Sequence, residues 1–206
     1  NNIQLSFLGA NGLTEIRNAG ISRIRGVEMD AGFRAGGFSI NTGFSYNDAQ
    51  IRRDFCAIAN ANFDCSTPGN SLLAEAGSRL PVTAKLKGNA IARYEFPVAD
   101  WDGHVQFAVN HIGSRKSDLR PAQNAIKGDL GAYTTADFSV GVKSDLWSIE
   151  AFATNLFDTR GIVNTGVQCL ETVCGTGVTP ATPTGGAFYD VLIKPRLIGV
   201  KFSRDF

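Results

Sequence analysis

Methionine occurs once and histidine twice in 206 residues, and the charges nearly cancel, 20 Lys and Arg against 19 Asp and Glu. A formal net charge of +1 makes no basic field, so nothing points to nucleic acid as a partner. Charged residues are 19%, below the ~25% of an average soluble protein. No run approaches the ~18 apolar residues of a spanning helix, and the mean hydropathy is −0.05. A bundle of transmembrane helices is thereby excluded. A membrane β-barrel is not, because its apolar residues alternate with polar ones and average out. The opening "NNIQLSFLGANG" has neither the charged nor the apolar region of a signal peptide. Gly-x-Ser-x-Gly, P-loop and dinucleotide motifs are all missing, so neither an enzyme nor a cofactor is expected. His104 and His111 differ by an odd number of positions on a presumed strand and face opposite sides, so they share no metal or catalytic site. Asp54 and Asp64 lack the spacing of a calcium loop.

Cysteine is scarce but patterned. Cys56 and Cys65 enclose "AIANANFD", and Cys169 and Cys174 enclose "LETV". Short-range pairs in polar, strand-free stretches suggest disulfides and an oxidising compartment. Zinc is the weaker reading, because both histidines lie far from either pair.

What the sequence has in abundance is period-two alternation. Val27, Met29, Ala31 and Phe33 oppose Glu28, Asp30 and Arg34. Phe38, Ile40, Phe44 and Tyr46 follow the turn at 36–37. Leu86 to Phe96, Val105 to Val109, Phe138 to Val142, Trp147 to Ala151 and Ile198 to Phe202 repeat the pattern. With a short strand at 3–8, about eight strands result. Tight turns at 36–37, 98–103 and 144–146 alternate with long connections at 9–20, 48–79, 113–132 and 159–187. All the long ones fall on one end, the layout of an outer-membrane barrel. The polar rows carry Glu28, Asp30, Lys85, Lys87, Arg93, Glu95, Lys143 and Glu150, which suit a wet lumen. Trp101, Trp147, Tyr94, Phe96 and Phe206 sit near strand ends, where interfacial girdles form. A soluble β-sandwich would also alternate, but its apolar rows would make an exposed belt. The expected fold class is therefore all-β, an antiparallel up-and-down transmembrane β-barrel.

Four segments carry a family resemblance: "AGISRIRGVEMDAGFR", "RLPVTAKLKGNAIARYEF", "NLFDTRG" and the terminal "PRLIGVKFSRDF". They resemble the C-terminal barrel of TonB-dependent outer-membrane receptors. The resemblance implies a barrel of about 22 strands, of which residues 1–206 would supply about the last eight. It implies energy-coupled uptake of a scarce nutrient, such as a ferric siderophore, cobalamin or an oligosaccharide, across the outer membrane of a Gram-negative bacterium. TonB would act through an N-terminal plug, and neither plug nor N-terminal strands are expected in this chain. The abrupt start and the strand-like end fit a piece of a longer protein, or a mature chain after processing. Phe202 and Phe206 resemble the terminal-strand signal read by the barrel-assembly machinery. The alternative is a self-sufficient eight-stranded outer-membrane barrel with an adhesive, structural or enzymatic role.

"GSRKSDLR" adds Arg115, Lys116 and Arg120 at an external strand end. They are candidates for an anionic ligand or for lipopolysaccharide phosphates, against a plain solvated rim. Disulfides in the loops at 48–79 and 159–187 would stiffen a ligand-binding surface. Membrane lipid and lipopolysaccharide are the other expected partners.

Overall fold

The computed structural model describes residues 2–8, 14–58, 65–167 and 188–204. Its main feature is one antiparallel sheet of eight strands. In chain order the sheet strands are β1 (Asn2–Leu8), β2 (Thr14–Ala35), β3 (Phe38–Ile51), β6 (Leu86–Val98), β7 (Trp101–Ile112), β8 (Tyr133–Lys143), β9 (Trp147–Thr154) and β12 (Leu197–Arg204). Each pairs with its neighbour in sequence order, a plain meander. Between them lie the short strands β4 (Phe55–Cys56), β5 (Leu72–Ala74), β10 (Ile162–Val167) and β11 (Phe188–Leu192), and one helix, α1 (Pro121–Lys127). β4 pairs with β5 and β10 with β11, both outside the main sheet.

The period-two pattern fixes the register. Val27 stands opposite Tyr46, Met29 opposite Phe44 and Phe33 opposite Ile40. The apolar row continues through Ala92–Phe107, Tyr94–Val105, Phe107–Phe138, Val142–Ile149 and Ile149–Phe202. Most of its large side chains are exposed, as a surface meant for lipid must be. From Val27 on β2 to Phe202 on β12 this face carries no charge among the described strand residues, apart from Asp48, until Arg204 at its far end. The opposite face is polar. A slip of one residue anywhere would exchange the two faces, so lipid and lumen together pin the register.

The two ends differ as the sequence predicts. Gly36, with φ +56°, makes the first tight turn. Ala99 makes the second with φ +54°, an uncommon conformation for alanine that the two-residue connection demands. Ser144 makes the third, its Oγ accepting from the Trp147 amide at 3.2 Å while its own amide donates to the Trp147 carbonyl at 2.8 Å. Trp101 and Trp147 meet edge to face at this end, centroids 4.7 Å apart, as a girdle requires.

At the long-loop end three expectations are corrected. The stretch 9–20 is not all connection: β2 begins at Thr14, and its first part pairs with β1 from Leu8–Thr14 to Asn2–Ile21. The stretch 113–132 contains α1, with Pro121 in its first turn and Gly128 at its C-cap. Cys56 is not in a strand-free stretch but in β4, opposite Leu72. Among the described residues β1 pairs only with β2 and β12 only with β9, so the eight-stranded sheet stays open. Replacing Phe107, near the middle of β7, with Arg should lower stability by about 2–4 kcal/mol. Asn41→Lys on the polar face should stay within about 0.5 kcal/mol. Unfolding midpoints in urea and lipid would compare the two.

Candidate functional site

The polar face and the roof of loops above it form the site. Toward the tight-turn end, Arg93 donates from Nε to Glu95 at 2.9 Å, and Arg34 reaches the same carboxylate at 3.3 Å. His104 Nε2 lies 3.0 Å from Glu150 Oε2. Arg93, Glu95, His104 and Glu150, with Lys143 and Lys201, line a basin of about 440 Å³. Higher up, Glu28, Asp30, Lys87, Asn89 and Asn110 line a second basin. Charges of both signs stand side by side, so this wall is wet but nearly neutral. His111 is on the other face, its Nδ1 2.8 Å from the Thr134 hydroxyl.

The loops build their own core at the upper end of the polar face. Ala49 and Ile51 continue the inward row of β3, where the residues turn from polar to apolar. They pack with Ala19, Phe55, Ala74, Leu80 and Leu119 in one buried cluster. Backbone bonds extend the ladder: Leu80 donates to Ala49, and Ile51 to Ser78. Arg17 Nη1 donates to the Ala57 carbonyl at 2.9 Å, joining β2 to the loop that carries β4. The disulfide Cys56–Cys65 closes that loop, with Cα atoms 5.3 Å apart. Cys169 and Cys174 lie outside the described residues.

The three candidate cations do not form one exposed patch. Arg115 is 4% exposed, and its Nη2 donates to the Ile162 carbonyl at 2.6 Å, with Nη1 3.4 Å from that of Val163. Its guanidinium carbon lies 5.5 Å from the centre of the Tyr133 ring. It therefore binds the β7–β8 loop to β10. Lys116 holds Asp129 at 2.8 Å, and Arg120 holds Asp118 at 3.0 Å. Phe202 stands on the lipid-facing row, opposite Ile149; Phe206 lies outside the described residues.

Sequence reasoning missed Asp118. Burial raises its pKa, but hydrogen bonds from Arg120 and Lys127 more than offset this, and the carboxyl stays below its ordinary range. Asp129 is held low by hydrogen bonds from Asn124 and Lys116. Asp158 is held low by the Arg196 amide and by Arg160. The role of "NLFD" was also hidden. Asn155, 5% exposed, takes a left-handed conformation with φ +49°. Its side chain donates to the Thr159 and Lys194 carbonyls and accepts from the Thr159 amide, while its own amide donates to Asp137. One side chain thus joins the end of β9 to the residues before β12. Arg160 pairs with Asp158, as a structural role at a loop base expects.

An open antiparallel meander with an uncharged belt, a charged inner wall and packed loops at one end is part of a transmembrane β-barrel. The family model "TonB dependent receptor-like, beta-barrel" matches residues 1–156, and the chain belongs to that family. The fold is similar to the ferric yersiniabactin uptake receptor FyuA from Yersinia pestis, with TM-score 0.65 and 20% identity, covering 93% of this chain and 25% of that one. It is also similar to the siderophore receptor PiuA from Acinetobacter baumannii, with TM-score 0.62 and 14% identity, covering 98% of this chain and 23% of that one. The chain thus spans about a quarter of the length of either structure. No curated protein matches it in sequence.

Asn155→Leu should destabilise the loop base by about 1–3 kcal/mol, since backbone groups lose their partner in a buried place. The shift would be read from the temperature at which the barrel loses its folded mobility on gels. For Asp118 the sign follows from its lowered pKa. A carboxyl depressed on folding stabilises above its unfolded value of about 4, and that stabilisation is lost as pH falls through the lower folded value. Hydrogen exchange over 113–132, corrected for intrinsic rates, should therefore rise below about pH 4. In Asp118→Asn it should be raised already at pH 7.

Proposed function

We propose that the chain is the C-terminal portion of the barrel of a TonB-dependent outer-membrane receptor, and that the whole receptor takes up a siderophore-bound metal. The packed loop roof over a wet, charge-balanced wall is the observation that carries this. A pore wall with paired charges lets a polar solute pass without holding it, while ordered loops above provide a stiff surface on which to capture it. The family and the two siderophore receptors of like fold support the nutrient class. Cobalamin and oligosaccharides are the competing cargoes.

In this proposal TonB acts through a plug supplied by the rest of the receptor, and the chain catalyses nothing. The loops around β4, β5 and α1 meet the ligand. Arg115 serves indirectly, by fixing the β7–β8 loop to β10, and Lys116 and Arg120 contact an anionic ligand only by sharing themselves with Asp129 and Asp118. Phe202 and Phe206 serve the barrel-assembly machinery.

The intact mass of the native polypeptide, recovered from outer-membrane extracts, is the first test. It should be several times the 22.0 kDa of this chain. Deleting the gene should abolish growth on one ferric siderophore as sole iron source, and complementation should restore it. A native mass near 22.0 kDa, with no partner chain, would remove the transport assignment.

A further inference from the structure

Above its apolar stretch, the lipid-facing row of β2 carries two arginines. Arg23 and Arg25 have the parity of Val27, Met29 and Phe33, in a register with β3 that runs unbroken from Ser22 to Ala35. Side chains two apart on a strand share a face, so these guanidinium groups stand just beyond the apolar belt on the side that faces lipid. Arg52 joins them from just past the end of β3, its amide donating to the Ile21 carbonyl at 2.7 Å. Arg25 and Arg52 are exposed and Arg23 is half-buried. Both repel the charge on Arg23, and the one carboxylate that offsets this is Asp48. Asp48 faces Arg25 across the strands but accepts its hydrogen bond from Gln50, at 3.0 Å. Among the described residues no ion pair joins any of the three arginines to a carboxylate. This is the reverse of Arg115, Lys116 and Arg120, whose charges the loops already use.

We propose that Arg23, Arg25 and Arg52 form a binding site for the phosphate groups of lipopolysaccharide, at the external rim of the barrel. Like charges held together without internal partners call for a multivalent anion. Guanidinium groups bind phosphate through paired, planar hydrogen bonds. The position selects the source: the site adjoins the apolar belt, so the phosphate must come on a molecule whose acyl chains cover Val27, Met29 and Phe44. This rests on the outer-membrane orientation proposed above.

The test uses the full native receptor, purified in detergent from outer membranes, as wild type and as the triple variant R23Q/R25Q/R52Q. The probe is lipid A with both phosphates, and retention is read by native mass spectrometry. The triple variant should retain it roughly tenfold less well or worse. The wild type should likewise discriminate against lipid A stripped of phosphate, and inorganic phosphate should not displace the lipid. Equal retention of the two lipids by the wild type would overturn the proposal even if the variant failed to fold. Displacement by inorganic phosphate would overturn the lipid as source. A wild-type protein absent from the outer membrane would sink the receptor assignment and this site with it. A protein present there but blind to phosphate sinks the site alone.

Discussion

Backbone amides and carbonyls find no partner in lipid, and the rest of this structure follows from that constraint. Every strand that crosses must hydrogen-bond to neighbours on both sides, so the chain is a meander whose strands pair in sequence order. Once paired, the strands must present one face to acyl chains, which strips charge from alternate positions over the length of the belt. The other face is released from that demand. It can hold Arg93 bonded to Glu95 and His104 beside Glu150, the two pairs meeting where Glu95 stands opposite His104. The same rule makes an open edge costly, and the inner parts of β2 and the whole of β12 each leave one. Both edges must be paired for such a sheet to stand in a membrane.

Above the membrane the constraint lifts, and the loops are organised by a different force. Their core is apolar burial, with Ile51 fully buried. Its polar contacts are specific. Asp118 is buried between Arg120 and Lys127, whose hydrogen bonds outweigh its desolvation. Such a triad favours one loop arrangement over others more than it adds net stability. Arg115 works the same way, through the carbonyls of Ile162 and Val163. A binding surface made of loops gains from this, because order established on folding is not lost again on binding.

Strand pattern, end assignment and the family were legible in the sequence because lipid imposes a strict period of two. The turns at 36–37 and 144–146 and the strand of Leu86 to Phe96 stand where alternation puts them. The failures cluster where lipid no longer acts. "TEIRNAGIS" has no clean alternation, since most of that part of β2 pairs with β1, across a register shift, and contains Gly20 at φ +79°. The helix at Pro121–Lys127 carries a readable signal, a proline before good helix formers and a glycine after them, but it is only 7 residues long and has no buried face. Arg115 looked like a surface charge because its partners are backbone carbonyls, and no sequence displays those. Asn155 was visible as part of a motif, but its function as a four-way hydrogen-bond hub depends on a left-handed backbone and on Lys194, far along the chain.

The two sides of the external rim divide the labour by charge state. On the loop side, cations are spent internally: Arg115 on carbonyls, Lys116 on Asp129, Arg120 and Lys127 on Asp118. In the proposed receptor, what reaches an arriving ligand there is a shaped and nearly neutral surface. That suits capture followed by release, because an unpaired buried charge would hold an anionic ligand too tightly to let it go. On the lipid side, Arg23, Arg25 and Arg52 form no ion pair among the described residues, and in the proposed site their charge serves an outside partner. A permanent anion in the membrane is the counterpart that never needs releasing. Strong fields therefore face the component that stays, and weak ones face the component that must move on.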